Sequence, residues 1–68
     1  MVIKTKNHTY RIFSVNGTSY IQAPETPKGR ITQVVQIKIG EPLILFFVRD
    51  FEGKERKIST TPVLEIIP

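Results

Sequence analysis

Residues 31–51 read ITQVVQIKIGEPLILFFVRDF, the densest run of β-branched and aromatic residues in the chain. Such residues favour the extended backbone of a strand over a helix. A glycine and a proline near the middle of the run are typical of a connection between two strands. The stretch therefore predicts two adjacent strands, 31–39 and 42–49, joined at Gly40–Glu41.

The two predicted strands differ in the spacing of their apolar residues. In 31–39 these residues fall on odd positions, which indicates a strand with one buried face and one wet face. Gln33 and Val34 break the alternation, so we expect a β-bulge there. The second strand has no polar residue from Leu43 to Val48, which predicts cover on both faces or a partner on one of them.

The Asn16–Gly17 dipeptide is the clearest turn signal. Asn-Gly between extended segments is typical of a type I′ turn, so we expect 9–15 to pair with 18–23 as a tight hairpin, and Val in place of Gly17 to damage it. Before this hairpin, residues 2–6 form either a separate strand or the start of one long strand that bends at residues 7–8.

The remaining segments predict a loop, a turn and two more strands. Residues 24–30 contain two prolines and a glycine and are expected to form a basic loop. Asp50–Gly53 has the composition of a four-residue turn. A polar edge strand, or a strand with one exposed face, follows at 54–60. Thr61–Pro62 should break it before a last strand at 63–67.

The pattern predicts an all-β fold of five to seven short strands without significant helix. We expect one domain over residues 1–68, a small antiparallel barrel of the SH3-like or OB-like kind, because closure removes unpaired edges. An open meander that dimerises is the alternative. Ordering 68 residues costs roughly 100 kcal/mol at about 1.5 kcal/mol each, so a well-paired sheet or oligomerisation must help to stabilise the fold.

Composition also limits the chemistry that the protein can perform. With one His and no Cys, neither a disulfide nor a zinc site is expected. The acidic residues near position 52 alternate with Lys and Arg, unlike the ligands of a metal site. No phosphate-binding glycine motif is present. We therefore expect a non-enzymatic protein without cofactor, metal or small-molecule substrate.

The sequence shows no targeting segment or membrane span. The N-terminal MVIKTKNHTY is basic, but no apolar run follows it as in a signal peptide. The longest apolar run, Leu43 to Val48, is far shorter than the ~20 residues of a spanning helix. We expect a soluble, cytoplasmic protein that does not bind a membrane.

Two binding functions compete. The first is a module whose partner is a protein or a second copy of itself, because one barrel interior cannot accommodate every apolar side chain of the second central strand. Its candidate interface residues are Ile44, Phe46, Val48 and Phe51. This is the leading hypothesis.

The alternative function is binding of nucleic acid, most simply single-stranded. The chain carries ten Lys and Arg against six Asp and Glu, a net charge of +4, and residues 1–15 contain three cations and no acid. Basic residues among exposed aromatics are typical of single-strand binding. The competing interpretation is that Tyr10, Phe13 and Tyr20 are core residues, because so small a protein needs most of its six aromatic side chains for packing. The candidate residues are Lys4, Lys6, Tyr10, Arg11, Lys28 and Arg30.

Overall fold

The computed structural model describes all residues, Met1–Pro68, and consists of six β-strands without a helix. The strands are β1 (Val2–Thr5), β2 (Thr9–Val15), β3 (Thr18–Gln22), β4 (Gly29–Gln36), β5 (Pro42–Val48) and β6 (Glu55–Ile67). Each strand pairs antiparallel with the next, and β6 pairs with β1, so the sheet closes into a barrel. The predicted all-β barrel is confirmed, and the open meander is wrong. No helix that could cross a membrane is present.

The hairpin between β2 and β3 is the one that the Asn-Gly dipeptide predicts. Asn16 and Gly17 both have positive φ, 50° and 81°, as a type I′ turn requires. The turn places Val15 directly opposite Thr18. The register of the whole hairpin follows from this rung, because successive partners along an antiparallel pair move apart by one residue on each strand.

A second tight turn separates β1 from β2. The backbone N–H of Thr5 donates to the carbonyl oxygen of His8 over 2.9 Å. The Thr5 hydroxyl donates to the same oxygen and accepts from the N–H of His8. The chain reverses direction here, so the first strand is separate, and the alternative of one long strand through residues 7–8 is wrong.

The core of the barrel is built on every second residue of β5. Leu43, Leu45 and Phe47 point inward and are almost completely buried, whereas the residues between them face outward and are half-buried. The apolar run therefore has one face in the core and the other on the outside of the barrel. The remaining buried hydrophobic side chains are Ile3, Ile21 and Val63.

The strand β4 has different ends from those predicted. It begins at Gly29 and stops at Gln36, rather than spanning 31–39. Gly29 pairs with Ile21 of β3, so the last two residues of the predicted loop 24–30 belong to the strand. The chain leaves the ladder with β5 after Gln36.

The predicted irregularity within β4 is confirmed. Its register with β5 slips on either side of Gln33–Val34. A slip of one residue turns the following side chains to the opposite face. Within the strand, Ile31 packs against the core, whereas Val35, which lies at the second slip, is 52% exposed. Beyond the end of β4, Ile37 packs against the core and Ile39 is 59% exposed. The prediction that all odd positions are buried is therefore wrong.

The C-terminal segment forms one strand, β6, rather than two. Its first part pairs with β5 and its last part with β1, so it is not an edge strand. The predicted break at Thr61–Pro62 is wrong because Pro62 lies opposite Pro42. The N–H of Val63 donates to the carbonyl oxygen of Glu41 across this ladder, so Pro42 and Pro62 form a non-hydrogen-bonded rung that needs no N–H from either residue.

The predicted turn between β5 and β6 is confirmed. The carbonyl oxygen of Arg49 accepts from the N–H of Glu52 and from that of Gly53, over 2.9 and 3.0 Å. Gly53 has a φ of 64°. The turn places the side chains of Arg49 and Glu52 close to the end of the barrel.

Candidate nucleic-acid interface

The outward face of the β2–β3 hairpin carries two aromatic side chains side by side. Ile12 and Ile21 form one rung of this hairpin, and both pack into the core. The next rung pairs Phe13 with Tyr20, and alternation along each strand turns both rings to the outside. Both are half-buried and neither belongs to the core, so the interpretation of Phe13 and Tyr20 as core residues is wrong.

The two rings form the centre of a continuous row with a cation at each end. Their centroids are 5.6 Å apart and their planes differ by 24°, an offset stack. The guanidinium carbon of Arg11 lies 5.6 Å from the Phe13 centroid, and Lys28 Nζ lies 4.7 Å from that of Tyr20. Both distances are within the range of a cation–π contact. The four side chains, Arg11, Phe13, Tyr20 and Lys28, are called the aromatic row below.

A third cation extends the aromatic row onto β4. Arg30 pairs with Tyr20 across the β3–β4 ladder, and its side chain is exposed. Arg11, Lys28 and Arg30 take part in no ion pair, because the ion pairs of the protein are made by Glu65 and Glu52. Three positive charges without a carboxylate partner therefore lie on or beside this face.

The other predicted nucleic-acid residues lie apart from the aromatic row. Lys4 is on the outside of β1, where Nζ lies 3.7 Å from a carboxylate oxygen of Glu65. Lys6 is in the turn between β1 and β2. Tyr10 packs against the core, and burial raises the pKa of its hydroxyl. The structure thus brings together Arg11, Lys28 and Arg30 only.

The predicted protein-interface residues of β5 form one outward row. Ile44, Phe46 and Val48 alternate with the core residues and are half-buried. Phe46 lies between Gln33 of β4 and Lys57 of β6, whose long side chains are suited to cover part of an apolar neighbour. This row therefore presents less apolar surface than its composition indicates.

Other apolar side chains are more exposed than this row. Phe51, the remaining predicted interface residue, is 73% exposed in the turn after β5. Leu64 of β6 and Val34 of β4 are 63% and 50% exposed. Neither is in the predicted interface, and no sequence signal separates them from core residues because their orientation depends on local register.

The pairing of Phe13 with Tyr20 could have been found from the sequence. A two-residue turn at Asn16–Gly17 makes Val15 and Thr18 partners, and two steps further the partners are Phe13 and Tyr20. The sequence does not show whether the side chains of this rung point into the barrel or out of it. Their direction follows only when the neighbouring rung is known to enter the core.

No protein-family model, curated protein or solved structure matches the chain.

Proposed function

We propose that the protein binds single-stranded nucleic acid on the outward face of β2, β3 and the start of β4. In this proposal the bases stack on Phe13 and Tyr20, and Arg11, Lys28 and Arg30 contact the phosphates. The observation that carries the proposal is the stacked Phe13–Tyr20 pair with one cation over each ring.

The chemistry of this face suits a flexible strand with exposed bases. Stacking of a base on an aromatic side chain contributes about 1–3 kcal/mol and tolerates any base, since every base has a π face. A guanidinium such as that of Arg11 also stacks on bases while it pairs with phosphate. Duplex DNA hides its base faces within the helix, so the aromatic row favours single strands.

The electrostatics of the protein support an anionic partner. The net charge of +4 raises the rate of encounter with nucleic acid, and the cations of the face are not neutralised by carboxylates. The small barrel itself, which we propose to be OB-like or SH3-like, is a common support for oligonucleotide binding but assigns no function by itself.

A protein partner, or a second copy of the chain, is the second candidate function. The exposure of Phe51 at the tip of a turn favours it, because a large aromatic side chain in that position is suited to anchor an interface. If this function holds, Phe51→Asp should abolish association and leave the fold intact. We rank it second because Ile44, Phe46 and Val48 are half-buried like Phe13 and Tyr20, but only Phe13 and Tyr20 form a stacked pair with a cation over each ring.

The proposed function is tested by fluorescence anisotropy with a labelled single-stranded oligonucleotide of mixed sequence. The test variant is Arg11→Gln with Lys28→Gln. The matched control is Lys38→Gln with Lys54→Gln, which also removes two positive charges, but from exposed sites outside the face. We expect the test variant to bind at least ~tenfold more weakly at low salt, and the control to bind within about threefold of the native protein.

The salt dependence and the rings give two further readouts. With three phosphate contacts, the slope of log K against log salt should be about −2, from ~0.7 per contact on a single strand. Phe13→Val with Tyr20→Val keeps residues that favour strands and should weaken binding without loss of the folded spectrum. Equal effects of the two charge variants, or binding that ignores salt, would contradict the proposed function.

A further inference from the structure

A second candidate site lies at one end of the barrel, apart from the aromatic row. It is a cavity of about 310 Å³ between the barrel interior and the β3–β4 loop. Its lining includes Ile21, Phe47 and Ile58 of the barrel strands and Pro24 and Pro27 of the loop. Small-molecule sites in proteins have volumes of roughly 300–1,000 Å³ and mainly apolar walls, so this cavity is at the lower end of that range.

Polar side chains also line the cavity, among them His8, Tyr10 and Arg49. The rings of His8 and Tyr10 lie together, with centroids 6.0 Å apart. Arg49 sits over the ring of Phe47, with 5.1 Å between the guanidinium carbon and the centroid. A guanidinium in an apolar surrounding is a strong binder of anions, because its N–H groups fit the two oxygens of a carboxylate.

The hydrogen bonds of Arg49 are incomplete within the protein. Its Nε is buried and has no hydrogen-bond partner. Its closest anion is Glu52, at 3.8 Å from Nη1, which is longer than a good charge-assisted hydrogen bond. A buried donor without a partner is unfavourable, so a small rotation of the side chain toward a bound acceptor would improve its environment.

Glu52 is engaged by a different arginine. Arg56 donates from Nε and Nη2 to the two carboxylate oxygens, over 2.8 and 2.5 Å. The bidentate pair satisfies Glu52 and lowers the pKa of its carboxyl. The three side chains together carry two positive charges and one negative charge. Arg49 therefore supplies the surplus positive charge, and it is the member of this group that lines the cavity.

We propose that the cavity binds a monoanionic carboxylate attached to a small apolar group, with the carboxylate on Arg49 and the apolar group against Phe47 and Ile58. Such a ligand has two sources of the same chemistry. One is a free small carboxylic acid, and the other is the C-terminal carboxylate of a peptide that ends in an apolar residue. The site does not depend on the proposed nucleic-acid function, since Arg49 is outside the aromatic row.

The first test uses the native protein and a matched pair of probes, phenylacetate and phenylacetamide. They have nearly the same shape and differ in charge. We expect phenylacetate to give saturable NMR shifts at the amides of residues 8–10 and 47–49, and phenylacetamide to bind at least tenfold more weakly. Equal binding of the two probes, or no saturable shift with either, would overturn the proposal.

Three single variants then separate a ligand contact from a structural role. Arg49→Gln should weaken phenylacetate binding at least tenfold. Lys54→Gln, which removes one charge from the same turn but does not line the cavity, should have no effect. Glu52→Gln should strengthen binding severalfold because it removes the competing carboxylate. Weaker binding in the Glu52 variant, with the fold retained, would contradict the assigned role of Arg49.

A final comparison distinguishes the two sources of ligand and the two sites. A short peptide ending in Phe is tested with a free and with an amidated C-terminus. Tighter binding of the free peptide than of phenylacetate assigns the site to peptide C-termini, and the reverse order assigns it to small acids.

Oligonucleotide binding should be the same in Arg49→Gln and in Lys54→Gln, because the two variants have the same net charge.

Discussion

Gly29 and Phe47 are in contact so close that no side chain fits between them. A Cβ atom placed on Gly29 would overlap Cδ2 of Phe47 and lie 3.1 Å from Cγ and from Cε2 of the same ring. Gly29 also forms, with Ile21, one of the two rungs that join β3 to β4. The pairing of β3 with β4 therefore depends on a glycine that lets the aromatic ring pack directly against the backbone of β4.

Gly29→Ala is expected to destabilise the protein by about 2 kcal/mol. Overpacking of a filled core costs roughly 1–3 kcal/mol, since either the ring or the strand must move. Urea unfolding followed by circular dichroism measures the change. Phe47→Leu in the Gly29→Ala background should restore part of the lost free energy of unfolding, as a coupled pair requires. A Gly29→Ala variant as stable as the native protein would show that the Phe47 ring or the strand can move without a cost in stability, which would contradict the prediction.

Glu25→Gly is expected to stabilise the protein by about 0.5–1 kcal/mol. The N–H of Thr26 donates to the carbonyl of Ala23, with Pro24 between them, and Glu25 has a φ of 64°. This is the pattern of a type II turn, whose third position favours glycine. Relief of the left-handed strain outweighs the added freedom of the unfolded chain.

The control for this prediction is Glu25→Ala. It removes the same carboxylate but keeps a Cβ atom in the left-handed conformation, so it should give no comparable gain in stability. Thermal unfolding of the two variants side by side checks the difference. Equal stabilisation by Ala and Gly would mean that the negative charge of Glu25, rather than its backbone conformation, is unfavourable.

Glu52→Gln should remove a contribution to stability that depends on pH. Hydrogen bonds from Arg56 lower the pKa of Glu52 in the folded protein. A lowered folded pKa stabilises the protein above the ordinary Glu pKa of ~4.3, and this stabilisation is lost as pH falls through the folded pKa. The native protein should melt at a higher temperature than the variant at pH 7.

The difference between the two melting temperatures should shrink as the pH is lowered below ~4.3 and vanish below the folded pKa. Thermal scans from pH 7 to pH 2 measure this trend. A difference that stays constant over the whole range would assign the effect of the variant to packing of the turn, and not to the charge of Glu52.

Local signals in the sequence were sufficient for the hairpin and for the core strand. Asn16–Gly17 determines a two-residue turn because both residues must have positive φ. The apolar run of β5 identifies the strand on which the core is built. Within that run, only the closed barrel determines that Leu43, Leu45 and Phe47, rather than their neighbours, face inward.

Pairing between distant segments explains the wrong predictions. Pro62 interrupts a strand when it is considered alone, but its partner is Pro42, and this rung needs no N–H from either residue. Likewise, the register slips around Gln33–Val34 expose Val35, which a regular alternation would bury. Neither effect is visible from propensity within a window of a few residues.

The two candidate sites also differ in how far they can be predicted from the sequence. The aromatic row is largely local, since Arg11, Phe13 and Tyr20 belong to one hairpin and only Lys28 lies outside it. The cavity at the barrel end requires closure of the sheet, because it joins Phe47 of β5 and Ile58 of β6 to Pro24 of the loop. The sequence alone therefore indicates part of the first site and no part of the second.

The most direct test of the central claim is an NMR titration of the labelled native protein with a mixed single-stranded oligonucleotide at low and then at high salt. We predict that the largest amide shifts fall on residues 11–13, 20–22 and 28–30, and that high salt reverses them. Shifts centred on Phe46 and Lys57 of the opposite face, or a spectrum that the oligonucleotide leaves unchanged, would contradict the assignment of the aromatic row as a nucleic-acid interface.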